Sequence, residues 1–148
     1  PEQGREVPDR QRAAVERAPA GLQRDALAIV VDVAFHHDAD AIARYRARGG
    51  DVPVEALAAL VEIQARTNDP GLVEILERLI AHPQAWRREV ATVRARLQLG
   101  RAAVARGDRE GAAATFREIL ARWERGAPDS EVVKTARAEL AGLSATPR

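Results

Sequence analysis

One short polar segment carries side chains that could hold a metal ion. His36, His37, Asp38 and Asp40 offer imidazole and carboxylate groups within five residues, and His82 is the only other histidine in the chain. A zinc site needs three or four ligands that converge, whereas adjacent side chains on a helix diverge by about 100°. Asp38 also stands where a helix cap is expected. We therefore interpret the segment as an ordinary polar turn and predict neither a metal site nor a cofactor.

The chain carries few side chains suited to nucleophilic catalysis. It contains no cysteine, and its only serines are Ser130 and Ser144, the first of which stands where a helix cap is wanted. No glycine-rich phosphate loop follows a strand, and neither GxSxG nor HExxH occurs. The paired carboxylates Asp38 and Asp40 fall in an expected turn, where solvent keeps them ordinary. We predict no catalytic residues and do not interpret this protein as an enzyme.

Composition indicates a helical protein without a membrane span. Hydrophobic residues make up 46% of the chain and aromatic residues only 3%, so that the core must consist of Ala, Leu, Val and Ile. The apolar segment 26–35 is too short to span a membrane and starts too late for a signal peptide. Lys134 is the only lysine among 23 basic residues, which suggests a high-GC bacterial gene. Since Met is absent, we expect a processed form or a piece of a longer protein, cytoplasmic or periplasmic.

Apolar spacing predicts helices along most of the chain. The apolar run from Ala26 to Phe35 is compatible with a buried strand, but its length and its helical neighbours favour a helix. Helix stop and start residues divide the remainder, at Gly49-Gly50, Asn68-Asp69-Pro70, Pro83, Gly107-Asp108 and Pro128-Asp129-Ser130. The pattern predicts three helical hairpins and a closing helix, in an all-α protein.

The domain organisation follows from the same pattern. We expect a flexible N-terminal arm over 1–19, in which a short helix from Pro8 could form, then a helical repeat domain over 20–143 and a free tail over 144–148. The second helices of the hairpins are expected to begin after Asp38, Asp69 and Asp108, each acting as a cap. The distances in sequence from Asp38 to Asp69 and from Asp69 to Asp108 bracket the repeat lengths of helical solenoids.

The predicted long helix after Pro83 carries an apolar stripe over about twenty residues. Its members are Trp86, Val90, Val93, Leu97 and Val104. We expect this stripe, and with it Trp86 and Trp123, to be buried. If one of the two tryptophans lay at an open end of the stack, it would suit a dimer contact.

Residues 93–128 resemble a tetratricopeptide repeat. The matching positions are Leu99-Gly100, Gly107-Asp108, Ala112 and Phe116. Small residues at Gly100 and Ala112 let two antiparallel helices approach, and Phe116 fills the gap to the next hairpin. The resemblance implies a short stack of hairpins that binds a protein or peptide in a groove. A HEAT-like or irregular helical bundle is the alternative architecture.

In this family the first helix of each hairpin lines the groove. The resemblance places the groove at Arg94, Leu97, Arg101, Val104 and Ala105. Arg87 precedes Arg94 and Arg101 by steps of seven, which places the three arginines on one side of the helix, where they suit an acidic or C-terminal peptide. Charge reversal at Arg94 and Arg101 should then weaken partner capture without unfolding.

The alternatives concern the same basic helix. Residues 51–83 contain six acidic residues and two arginines, whereas residues 84–109 contain seven arginines and two acidic residues. As alternatives to partner binding, the arginines would lie on a solvent-exposed face or pair with the acidic residues of 51–83. Self-association is the second functional hypothesis. Nucleic-acid binding is disfavoured, because the acidic unit repels phosphate and only Tyr45 is expected to be free for base stacking.

Overall fold

The computed structural model describes residues 5–49 and 51–145. Within these residues the chain forms eight α-helices and no β-strand, which confirms the prediction of an all-α protein. The helices are α1 (Asp9–Arg17), α2 (Leu22–Ala34), α3 (Asp38–Ala47), α4 (Val54–Thr67), α5 (Val73–Ala81), α6 (Glu89–Ala105), α7 (Arg109–Trp123) and α8 (Glu131–Ala145). Two 3₁₀ helices, Pro70–Leu72 and Ala85–Arg88, precede α5 and α6. None of the helices in this part of the chain combines the length and apolarity that crossing a bilayer requires.

Two of the three expected caps are present. Asp69 accepts a hydrogen bond from the Gly71 amide at 2.8 Å, and Asp108 accepts one from the Gly111 amide at 2.8 Å. The expectation for Asp38 is wrong, because this residue is itself the first of α3 and caps nothing. Its carboxylate instead accepts a hydrogen bond from Arg66 on α4 at 2.6 Å.

α4 and α6 are the helices with the most helix neighbours. α4 lies between α2 and α6 and packs against both, while α3, α5 and α7 pack against α2, α4 and α6 respectively. α8 closes the far end against α7. α2, α4 and α6 therefore lie side by side in that order.

The core consists of two apolar clusters. The first joins α2 to α5 around side chains such as Ile29, Leu60 and Leu76, none of which is exposed. The second joins α6, α7 and α8 around Phe116. A Cβ atom added to Gly100 would collide with the ring of Phe116. Glycine at this position is therefore what allows α6 and α7 to approach each other.

The segment expected to be a flexible arm contains α1 and makes defined contacts. Val7 is buried, and the Arg5 amide donates to the Phe35 carbonyl at 2.8 Å. The ring Nε2 of His37 lies 2.8 Å from the Arg5 carbonyl oxygen. The short helix expected from Pro8 is present as α1. Of the expected tail, Ser144 still belongs to α8, and residues 146–148, like residues 1–4, lie outside the described part of the chain.

A candidate partner-binding groove between α2 and α6

An open groove of about 1060 Å³ lies between α2 and the start of α6, with α4 as its floor. We call it the α2–α6 groove. Most of its lining falls within residues 23–30 of α2, 55–62 of α4 and 87–94 at the start of α6. α2 and α4 each contribute about two helical turns, whereas the third wall consists of the 3₁₀ helix Ala85–Arg88 and the first turns of α6.

The floor of the groove consists of small side chains. Ala58 and Ala59 face it from α4, flanked by Leu27 and Val30 of α2 and by Ala91 of α6. All five are only partly buried. Because alanine does not fill the space between two flanking helices, the helices leave an apolar trough between them.

Trp86 and Val90 form the exposed wall of the groove. Trp86 is 77% exposed and Val90 is 66% exposed, which makes them the two most exposed large apolar side chains in the described residues. The expectation that Trp86 is buried is wrong. Ala85–Arg88 is a 3₁₀ helix, and the backbone leaves the helical region at Arg88 before α6 begins. The expected stripe is interrupted there.

A buried hydroxyl fixes the backbone that carries Trp86. The Thr92 side chain lies 3.0 Å from the Ala85 carbonyl oxygen and 2.9 Å from the Arg88 carbonyl oxygen. It thereby joins the 3₁₀ helix to the first turns of α6. Thr92 and Ala85 are both buried. The backbone that carries the exposed indole is therefore held in place. Sequence reasoning overlooked Thr92, although a lone threonine between apolar helix positions is a recognisable signal.

Ion pairs occupy most of the charged rim. Arg94 contacts Glu62 at 2.8 Å, and Arg88 lies 3.5 Å from Glu55. Both pairs join α4 to the α6 side of the groove, and their side chains are roughly half exposed, so that each contributes at most about 1 kcal/mol. Arg87 also lines the groove and has no carboxylate partner among the described residues.

Two of the six predicted partner-binding residues lie in this groove, namely Arg87 and Arg94. Leu97 does not, because it is buried in the second cluster beside Phe116. Arg94 faces the groove but is paired with Glu62, as the alternative interpretation of the arginine row anticipated.

The other three predicted residues lie elsewhere along α6. Arg101 pairs with Glu139 of α8 at 2.9 Å. Val104 lines a separate cavity of about 630 Å³ together with Leu143. Ala105 is exposed at the last position of α6. The six residues therefore do not form one surface, because a single helix of this length contacts α4 at one end and α8 at the other.

The histidine- and aspartate-rich turn brings no metal-binding group together. His36 has a positive φ of 61°, His37 contacts the Arg5 carbonyl, and Asp38 pairs with Arg66. Within 5–49 and 51–145 there is no group of three or more side chains that could hold a metal ion.

Tyr45 is not free to stack on bases, contrary to the expectation. It is only 2% exposed and lies in the first cluster. Its hydroxyl is 3.4 Å from a carboxylate oxygen of Glu74. Burial, and next the negative charge of Glu74, raise the pKa of Tyr45 above its ordinary value of 10.0.

No protein-family model, curated protein or solved structure matches this chain. Function must therefore be inferred from the geometry of the groove.

Proposed function

We propose that this protein is a non-enzymatic interaction module that holds a peptide or protein partner in the α2–α6 groove. The observation that carries the proposal is the exposure of Trp86 and Val90 on the wall of an apolar trough. Large apolar side chains exposed together beside a concave surface are typical of binding sites. Tryptophan is also the residue type most enriched among those that dominate binding energy.

The proposed architecture is a short tetratricopeptide-like stack. Its support is local: the contact between Gly100 and Phe116, the cap at Asp108 and the turn at Gly107, whose φ is +80°. The first helices of its hairpins would be α2, α4 and α6, and these are the helices that line the groove. In the proposed stack, the groove would be the partner-binding surface.

Charge favours a protein partner over a nucleic acid. The arginines that line the groove are balanced by glutamates, the six residues being Arg87, Arg88, Arg94, Glu55, Glu62 and Glu89. The groove therefore lacks the net positive charge that a phosphate backbone requires. Glu55 and Glu62 already neutralise Arg88 and Arg94, which leaves Arg87 as the groove cation open to a new carboxylate. A partner with one acidic group near its apolar anchor suits this arrangement.

Self-association is the second candidate, and the same two exposed side chains support it. A second copy that buried Trp86 and Val90 would cover the patch as well as a foreign partner would. The two functions differ in whether the purified chain dimerises on its own.

Affinity capture with matched variants tests the proposal. Wild type, Trp86→Ala and the control Val104→Ala would be immobilised and exposed to lysate of the source organism, and each would be checked by circular dichroism for folding. A partner retained by wild type and Val104→Ala but lost by Trp86→Ala is the expected result. Equal capture by all three would exclude the groove. A dimer that dissociates in Trp86→Ala and captures nothing would establish self-association instead.

A further inference from the structure

The dimensions of the groove limit the size of its occupant. Its two continuous helical walls each extend over seven residue steps, at 23–30 of α2 and 55–62 of α4. At about 1.5 Å per residue this gives a length of about 10 Å. A volume near 1060 Å³ lies at the upper end of the range for small-molecule sites. The groove therefore suits about two turns of a polypeptide helix.

The chemistry of the walls distinguishes a helical from an extended occupant. An extended peptide has unpaired amides and carbonyls, which need partners when they leave water. The apolar part of the lining, which includes Leu27 and Val30, offers no such partners, and the only uncharged polar side chain among the described lining residues is Gln23. The rim carboxylates Glu55 and Glu62 are occupied by arginines. A helix satisfies its own backbone and needs no such partners.

The floor also favours a helix. Ala58 and Ala59 are adjacent on α4 and both line the groove. Small residues at a helix contact let the two axes approach closely, and side chains of the incoming helix can then fill the trough between α2 and α6. Trp86 and Val90 stand beside this trough and would cover one flank of the occupant.

The remaining feature is the charge of Arg87. Its neighbour Arg88 lies 3.5 Å from Glu55, and Glu89 accepts a hydrogen bond from the Trp123 indole at 2.9 Å. Arg87 alone among the groove arginines has no carboxylate partner in the described residues. An occupant that supplies one carboxylate at this end of the groove would complete the set of pairs.

We infer that the partner of the α2–α6 groove is an amphipathic α-helix of another protein. Its apolar residues recur at i, i+3 or i+4, and i+7, and an Asp or Glu beside this stripe pairs with Arg87. This inference rests on the proposed function and adds the structural class and the charge of the partner. It belongs to the helix-in-groove mode of recognition.

A peptide-display selection on the full chain tests the inference. Two libraries of equal length would be used, one with helix-forming residues and a randomised apolar stripe, and one identical except for two interior prolines that prevent a helix. Both would be selected on wild type and counter-selected on Trp86→Ala. We expect Trp86-dependent binders from the helical library alone, with an acidic residue enriched at one position beside the stripe.

A double-mutant cycle then assigns the acidic residue. For a selected peptide, Arg87→Gln should weaken binding about two- to fivefold, as expected for a partly exposed ion pair. The same change should have little further effect once the acidic residue of the peptide is replaced by Gln. Arg46, which is exposed on α3 outside the groove, provides the matched control Arg46→Gln.

The outcomes separate the inference from the proposed function. Trp86-dependent binders from the proline library would overturn the helix while leaving the groove as a binding site. Helical binders without an enriched acidic residue, or indifferent to Arg87→Gln, would overturn the charge pairing. Binders independent of Trp86 in both libraries, or none at all, would overturn both the proposed function and the inference.

Discussion

Replacing Trp86 by alanine should abolish most partner binding while leaving the fold intact. A bound partner would cover the indole, which is 77% exposed in the free chain. If about 150 Å² of it becomes buried, at about 25 cal/mol per Å², the contact is worth about 4 kcal/mol. Ordering at the interface offsets part of this, so that we expect a net loss of about 2–3 kcal/mol, or about 30- to 150-fold in Kd.

The same exposure predicts a small effect on stability. Trp86 contributes little to either apolar cluster, so Trp86→Ala should change the free energy of unfolding by less than about 1 kcal/mol. The matched change Trp123→Ala removes an indole that packs on the second cluster and donates to Glu89. It should lower the melting temperature clearly.

Binding would be measured by fluorescence anisotropy with a selected peptide or captured partner, and stability by thermal denaturation followed by circular dichroism. Wild-type affinity in Trp86→Ala would refute the assignment of this side chain as the anchor. A loss of stability in Trp86→Ala as large as that in Trp123→Ala would contradict its exposed position.

Three further predictions concern the elements that position the groove. Thr92→Val should lower the free energy of unfolding by about 1–2 kcal/mol and weaken partner binding several-fold, because it removes the hydroxyl that lies between the Ala85 and Arg88 carbonyl oxygens. Thr92→Ser should restore both in denaturation and binding assays. Gly100→Ala should destabilise the fold by about 1–3 kcal/mol through a clash with Phe116, and an unchanged melting temperature would contradict the close approach of α6 and α7. Because the pKa of Tyr45 is raised in the folded state, the phenol loses its proton at a lower pH in the unfolded state than in the folded state. The neutral phenol therefore contributes its full share to the free energy of unfolding below pH 10.0, and this share is lost as the pH rises through the folded-state pKa. Tyr45 is the only tyrosine, so phenolate absorbance follows it alone, and in denaturation Tyr45→Phe should lack this alkaline loss.

Local signals in the sequence predicted the helices well. The breaks at Asn68-Asp69-Pro70 and Gly107-Asp108 lie where helices begin and end in the structure, because turn and cap chemistry involves only neighbouring residues. The role of Gly100 was also anticipated, since a small residue followed by Ala112 and Phe116 at repeat spacing indicates two helices in close contact.

The groove was less predictable because it depends on which helix covers which face. Apolar spacing alone does not reveal that the 3₁₀ turn at Ala85–Arg88 places Trp86 in solvent, or that Leu97 faces α7. Pairs such as Arg94 with Glu62 and Arg101 with Glu139 join residues more than thirty positions apart. Such pairings are set by tertiary packing, which no local pattern of charges specifies.

Site-specific photo-crosslinking tests the central claim most directly. A photoreactive residue would be placed at Val90, inside the α2–α6 groove, and in a matched protein at Val104, near the other end of the same helix. We predict a crosslinked partner at position 90 that is lost when Trp86→Ala is added, and none at position 104. Crosslinks at position 104 alone, or crosslinks at position 90 that persist without Trp86, would contradict the assignment of the groove as the binding site.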